Sequence, residues 1–93
     1  MSDNAVQKGL ITLAVEKTLL DIGKPTYDKV TDMLYKDYNC YLPDCYEHPE
    51  YLNETLKKLF GNSYHVIVES IYKQLEEFMY KKPVERFLKI ISR

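Results

Sequence analysis

The sequence predicts an all-α domain, a compact bundle of four main helices plus a short C-terminal helix, with one ordered loop between helices 2 and 3. Apolar residues recur at helical spacing in five segments, and glycine or proline separates most of these segments from one another. Hydrophobic residues make up 45% of the chain and charged residues 29%, a composition too apolar for a disordered protein. A chain of 93 residues is expected to form one domain, residues 1–93.

The first helix is predicted over residues 4–22, after the candidate N-cap residues Ser2, Asp3 and Asn4. Gly23 is expected to end it, because the left-handed conformation costs glycine little. Apolar residues and one lysine recur at helical spacing and form its predicted buried face, which apolar neighbours broaden. This breadth predicts a helix that is covered on more than one side. The spaced residues are Val6, Leu10, Leu13, Lys17 and Leu20, and the neighbours are Ile11, Ala14, Val15, Leu19 and Ile22.

Helix 2 is predicted over about 25–38, with Pro25 in its first turn, where the missing N–H is harmless. Asp32 and Lys36 are expected to form an ion pair on its outer face. Because only Gly23 and Lys24 join helices 1 and 2, the two helices must be neighbours that cross sharply or run antiparallel.

Pro49 opens the third helix and Gly61 ends it. The fourth is expected to continue to Met79, because its helical period is unbroken, and this period disfavours a strand over 64–68. Pro83 is expected to terminate it, before a last helix of about 84–92. The predicted core consists of Leu10, Leu13, Leu20, Val30, Leu34, Leu56, Leu59, Ile71, Leu75 and Phe78.

The stretch from Asn39 to Pro49 interrupts the helical pattern and concentrates unusual residues. It contains both cysteines, one of two histidines and two of four prolines, and five of the nine tyrosines lie between positions 35 and 51. The loop has no glycine or serine between positions 40 and 48, unlike a mobile linker. We therefore expect an ordered loop that packs Tyr41, Leu42 and Tyr46 onto the bundle.

The spacing Cys40-x4-Cys45-x2-His48 raises the question of a metal site. Zinc prefers four such ligands, and the fourth would have to be a nearby carboxylate or the distant His65. The spacing matches no common zinc finger, so buried free cysteines are the favoured alternative, with no metal and no cofactor. No nucleophile–base pair and no glycine-rich phosphate loop can be nominated, and the sequence therefore predicts that the protein is not an enzyme.

The charge pattern disfavours nucleic acid as a partner. The formal net charge is −1, and the cations are spread along the chain rather than clustered. Helices 1 and 2 superficially form a helix-turn-helix, but the second would present Asp28, Asp32 and Asp37 to phosphates. No apolar run is long enough to cross a bilayer, and the acidic N-terminus is unlike a signal peptide. The prediction is a cytoplasmic protein with reduced thiols.

The run from Tyr38 to Leu52, together with Leu59-Phe60-Gly61 and the earlier helix-Gly-x-Pro joint, resembles a known family. It is similar to small archaeal (thaumarchaeal-type) proteins of unknown function, which look like an output domain of archaeal signal-transduction proteins. The resemblance covers about positions 10–91 and brings no catalytic residues, so it implies a signalling context and no chemistry. The start at Met1 departs from the multidomain arrangement of such output domains.

The leading functional hypothesis is a small protein-interaction or signalling-output module without a catalytic site. A nucleic-acid-binding transcriptional regulator is the alternative. A protein partner is expected and the sequence allows a homo-oligomer, whereas nucleic acid and membrane are disfavoured. The loop residues expected to bind a partner, because an ordered loop would hold its acids as a fixed rim, are Tyr41, Asp44, Tyr46, Glu47 and His48.

Overall fold

The computed structural model describes residues 3–93 and confirms the all-α class, with four helices, a short C-terminal helix and no strand in that range. The helices are α1 (Asp3–Ile22), α2 (Lys24–Tyr38), α3 (Pro49–Phe60), α4 (Tyr64–Leu75) and α5 (Lys82–Ile91). Short 3₁₀ helices occupy Leu42–Tyr46, Gly61–Ser63 and Glu76–Phe78. The N-cap prediction at Ser2 lies outside the described residues.

Special backbone conformations separate the first helices. Gly23 has φ 156° and ψ 151°, a region that essentially only glycine occupies, rather than the left-handed conformation expected for it. Pro25 lies in the first turn of α2, as predicted. Asn39 ends α2 in the left-handed region, with φ 53° and ψ 40°, and its N–H reaches the carbonyls of the last turn.

The core lies where α1 packs against α2 and α4, and where α3 packs against α2 and α5. Of the predicted core residues, Val30, Leu34, Leu56, Ile71 and Leu75 are buried, as the helical period indicated. Three others are only half-buried: Leu10, Leu59 and Phe78. The fully enclosed side chains of the core include Ile11, Val15, Leu19, Val30, Leu34, Leu52, Leu56, Ile71, Leu75, Val84, Phe87 and Ile91.

The predicted buried face of α1 is only partly correct. Leu13 is 63% exposed and Leu20 is 42% exposed, although both were expected in the core. Four of the five neighbours expected to broaden the face are buried, and Gln7 and Thr18 are buried beside them; the four are Ile11, Ala14, Val15 and Leu19. Because α1 carries apolar residues on two sides, periodicity alone could not choose between them.

The fourth helix is shorter than predicted. It ends at Leu75, and a 3₁₀ turn of Glu76–Phe78 follows, which leaves Phe78 and Met79 only half-buried. Carboxylates are unfavourable at the negative end of a helix dipole, and Glu76 and Glu77 lie at that point. Pro83 also differs from its expected role, because it lies in the first turn of α5 and opens that helix.

The end of α5 is held by side chains from other helices. Asn53 of α3 is buried, and its Nδ2 donates to the carbonyl oxygen of Ile91 at 2.9 Å. Lys57 Nζ donates to the carbonyl oxygen of Arg93 at 3.0 Å. The last carbonyl groups of a helix have no partners within that helix, so the contact from Asn53 satisfies one that would otherwise depend on water.

Candidate interaction site at the central loop

The loop between α2 and α3 is ordered, as predicted. Its centre is the 3₁₀ helix of residues Leu42–Tyr46, which buries Leu42 and Cys45 in the core. The backbone N–H of Tyr41 donates to Oδ2 of Asp44 at 2.8 Å, and the Asp44 N–H donates to the Tyr41 carbonyl oxygen at 3.0 Å. The first contact is the carboxylate half of a capping box, and the second is a backbone bond of the 3₁₀ turn; together they fix the start of the turn.

Two further loop side chains tie the loop to α1. The hydroxyl of the half-buried Tyr46 donates to Oδ1 of Asn4 at 2.8 Å. Glu47 lies 3.1 Å from Nζ of Lys8. Tyr46 and Glu47, which the sequence nominated for partner binding, are therefore engaged within the fold.

An aromatic stack supports the start of α3. The ring of Tyr51 lies between those of Tyr38 and His48, at centroid distances of 4.1 Å and 4.7 Å, with nearly parallel planes. His48 Nδ1 is 3.4 Å from Oε2 of Glu50, and the His48 ring is exposed at the outer end of the stack. Desolvation by burial raises the pKa of Tyr38. The stack holds α2 and α3 together beside the loop.

Both cysteines are part of the hydrophobic core. Cys40 and Cys45 are free thiols and both are buried. Burial raises the pKa of both thiols, and the neighbouring Cys40 and Asp44 raise that of Cys45 further. Since the thiolate is the nucleophile and the metal ligand, these thiols are poor at both roles. Among the described side chains, no three histidines, cysteines or carboxylates form a group that could hold a metal ion.

Tyr41 does not pack onto the bundle as expected. It is 65% exposed, and its ring lies beside that of Tyr35, which is 53% exposed, with the two centroids 5.6 Å apart and the planes at 34°. Tyr35 comes from α2 and Tyr41 from the loop that follows it. The two rings, with Thr31 and Asp32, line an open groove of about 430 Å³, which we call the tyrosine groove.

The charged group that lines the tyrosine groove is the carboxylate of Asp32. The predicted ion pair between Asp32 and Lys36 is not formed, and Asp32 makes no ion pair with any side chain that the structure describes. The Thr31 hydroxyl is occupied, since it donates to the carbonyl oxygens of Tyr27 and Asp28, each at 3.1 Å. Two aromatic faces beside a free carboxylate suit a cationic group.

The charge near the tyrosine groove is mixed. Of the acidic residues between positions 28 and 54, Asp28, Asp37 and Glu47 are ion-paired with lysines. Lys29 and Lys36 line a neighbouring groove together with Asp32. The attraction of a cationic ligand therefore depends on Asp32 itself and on Asp44, whose Oδ2 accepts a hydrogen bond from the Tyr41 N–H.

Only the side of the tyrosine groove that α2 forms could be expected from the sequence. The spacing of Asp32 and Tyr35 places both on one side of α2, and that signal was available from the sequence. The position of Tyr41 beside them depends on the turn made by Asn39 and on the 3₁₀ helix, which helical periodicity cannot predict. The sequence nominated Tyr41 but expected it to be packed onto the bundle.

Comparison of the chain with known protein families, with curated proteins and with solved structures finds no match. The resemblance to an archaeal signalling family therefore remains a prediction. Across residues 3–93, none of the helices combines the length and the apolar composition needed to cross a membrane.

Proposed function

We propose that this protein is an interaction module that binds a cationic segment of a partner protein in the tyrosine groove. The observation that carries the proposal is the exposed pair of Tyr35 and Tyr41 beside the unpaired carboxylate of Asp32. The apolar stem of a lysine or arginine would lie along the two rings, and its charged end would meet Asp32.

The groove is organised before a partner arrives. The backbone of Tyr41 is fixed by its two hydrogen bonds with Asp44, and the loop is tied to α1 through Tyr46 and Glu47. A fixed site loses less conformational entropy on binding than a mobile one. Asp44, Tyr46 and Glu47 thus take part in the proposal as positioning residues, and Tyr41 as a binding residue.

The expected affinity of a single side chain is small. An exposed cation–π contact contributes about 0.5–1 kcal/mol, and an exposed ion pair about 0–1 kcal/mol. One lysine or arginine would therefore give only very weak binding. A partner segment with several cations is favoured, because a second charge would be attracted to the carboxylate of Asp44, which lies next to Tyr41.

The test is binding of a set of short peptides that differ in charge, measured by NMR titration of the folded protein. Arginine-rich peptides are expected to shift the resonances of Tyr35 and Tyr41, and glutamate-rich peptides of the same length are not. Tyr41→Ala and Asp32→Asn should each weaken binding at least threefold, whereas Tyr80→Ala, at another exposed tyrosine, should not. Equal shifts with both kinds of peptide, or equal binding by Asp32→Asn, would refute the proposal.

A signalling-output role without catalysis is also proposed for this module. The resemblance of the central run, which brings no catalytic residues, supports it. The cytoplasm is the proposed location, because two free thiols suit a reducing compartment.

Nucleic acid is the second candidate partner, on a surface different from the one that the sequence suggested. Three cations of α5 and one just beyond its end line a surface groove together with Glu85. None of the four forms an ion pair with a described side chain: Lys82, Arg86, Lys89 and Arg93. If all four meet phosphates of duplex DNA, the slope of log K against log salt should be about −3.6. Arg86→Gln should reduce that slope by about one, and Lys29→Gln on α2 should leave it unchanged. A slope near zero would exclude this candidate.

A further inference from the structure

A second groove lies next to the tyrosine groove on the outer surface of α2. Its volume is about 340 Å³, and Leu59 of α3 lines it together with residues of α2. We call it the lysine groove, and it is lined by Lys29, Asp32, Met33, Lys36 and Leu59. Asp32 lines both grooves, so its carboxylate stands at the border between them.

The three charged residues of the lysine groove do not pair with one another. Lys29 precedes Asp32 by three positions and Lys36 follows it by four, spacings at which side chains of a helix can meet. Neither lysine forms an ion pair with Asp32 or with any other described side chain. Lys24 of the same helix, in contrast, pairs with Asp28 at 3.2 Å. The two exposed lysines of the groove are therefore available to a ligand.

The middle of the lysine groove is apolar. Met33 and Leu59 are half-buried there. Lys29 and Lys36 lie on either side of Met33, seven positions and about 10 Å apart along α2. Methionine is flexible and adapts its shape to a ligand. An apolar centre between two ammonium groups suits an aspartate or glutamate, whose methylene groups would cover Met33 while the carboxylate accepts hydrogen bonds from the lysines.

Building on the proposed function, on which this inference rests, we propose that the partner segment also carries a carboxylate, which the lysine groove binds. Around α2, Tyr35 is separated from Lys29 and Lys36 by about a third of a turn, or about 11 Å at the surface of the helix. An extended peptide covers about 3.3 Å per residue. Side chains on one face of such a peptide are an even number of positions apart. The carboxylate is therefore expected four positions from the arginine or lysine that enters the tyrosine groove.

The charge of Asp32 favours one ligand that fills both grooves over two separate ligands. A carboxylate that entered the lysine groove alone would be repelled by Asp32, which lines that groove too. A ligand cation that pairs with Asp32 removes much of this repulsion and leaves the attraction of the two lysines. Because the two ligand groups belong to one segment, the second contact is intramolecular and is favoured by a high effective concentration.

NMR titration with matched peptides tests the pairing, at low ionic strength because salt screens exposed charges. The mixed peptide carries an arginine and a glutamate four positions apart, and the neutral peptide has glutamine in place of the glutamate. Both orders of the two charges are used, because either direction of the segment fits the grooves. In one order the mixed peptide should bind about threefold more tightly than its neutral counterpart. It alone should shift the methyl resonances of Met33 and Leu59.

Two glutamine variants locate the effect. Lys36→Gln should remove the advantage of the mixed peptide and should still bind the neutral peptide. Lys73→Gln is the matched control, because Lys73 is an exposed lysine of α4 that forms no ion pair with a described side chain. It has the same change of charge and should keep the advantage. An advantage that survives in Lys36→Gln, or that is lost equally in Lys73→Gln, would contradict a specific contact in the lysine groove.

The same titrations distinguish this inference from the proposed function. No shift of Tyr35 and Tyr41 with any of these peptides would refute the proposed function and this inference with it. Shifts of these tyrosines with equal affinity for the mixed and neutral peptides, in both orders, would refute the inference alone. A peptide with glutamate and no arginine should shift Met33 and Leu59 less than the mixed peptide does. Equal shifts would mean that the two grooves bind independently, which also overturns the inference.

Discussion

Truncation of leucine at three levels of burial gives the sharpest test of the packing. Leu56 has no exposed surface, Leu59 of the same helix is half-buried, and Leu13 is 63% exposed. Leu56→Ala should lower the free energy of unfolding by about 2–5 kcal/mol, since it removes buried atoms and leaves a cavity. Leu59→Ala should cost about 1–2 kcal/mol, and Leu13→Ala less than about 0.5 kcal/mol.

The loss at Leu56 is large compared with the stability of the whole fold, which should be about 5–14 kcal/mol for this chain length. Urea unfolding followed by tyrosine fluorescence measures it, with a slope of about 1 kcal/mol per molar urea. A loss below about 1 kcal/mol at Leu56, or a larger loss at Leu13 than at Leu56, would show that the helix faces are wrongly assigned.

Three further predictions concern single buried groups, and urea unfolding measures each. Asn53→Ala should cost about 1–3 kcal/mol, because it leaves the Ile91 carbonyl without its buried donor; no loss would contradict this contact. Thr55→Val should stabilise the protein by about 1 kcal/mol, since the buried Thr55 hydroxyl has no partner. Thr18→Val should instead destabilise it, because Thr18 accepts a hydrogen bond from Gln74. Stability should fall as pH rises above about 9, because burial raises the pKa of Cys45 from its ordinary value of 9.0, and only the unfolded chain then releases the proton. Cys45→Ala should flatten that decline, and an unchanged decline would refute its assignment to this thiol.

The helix boundaries that the sequence predicted best are marked by glycine, whose backbone is unusually free, or by proline, whose backbone is restricted. Gly23, Pro25, Pro49 and Gly61 separate the first three helices and the start of the fourth, within one or two residues of the predicted places. These residues act locally, so their effect can be recognised without knowing what packs where. Pro83 was assigned the wrong role, because proline both follows helices and opens them, and its local residues do not decide between the two.

The sequence could not show which side of α1 is buried, and the reason differs from that for Pro83. Apolar residues occur on both sides of the helix, and the choice between them depends on where α2 and α4 lie in three dimensions. The tyrosine groove escaped prediction similarly, since it joins Tyr35 of a helix to Tyr41 of a loop. Both features depend on tertiary contacts, whereas periodicity describes one helix at a time.

The hydrogen bond from Asn53 to Ile91 has a consequence for cooperativity. A helix of ten residues, such as α5, is not stable by itself in water. Its last turn is tied to α3 across 38 positions of sequence, so opening α5 also exposes a buried amide of α3. The amide protons in the last turn of α5 should therefore exchange with solvent as slowly as those of α3, through unfolding of the whole domain rather than by fraying.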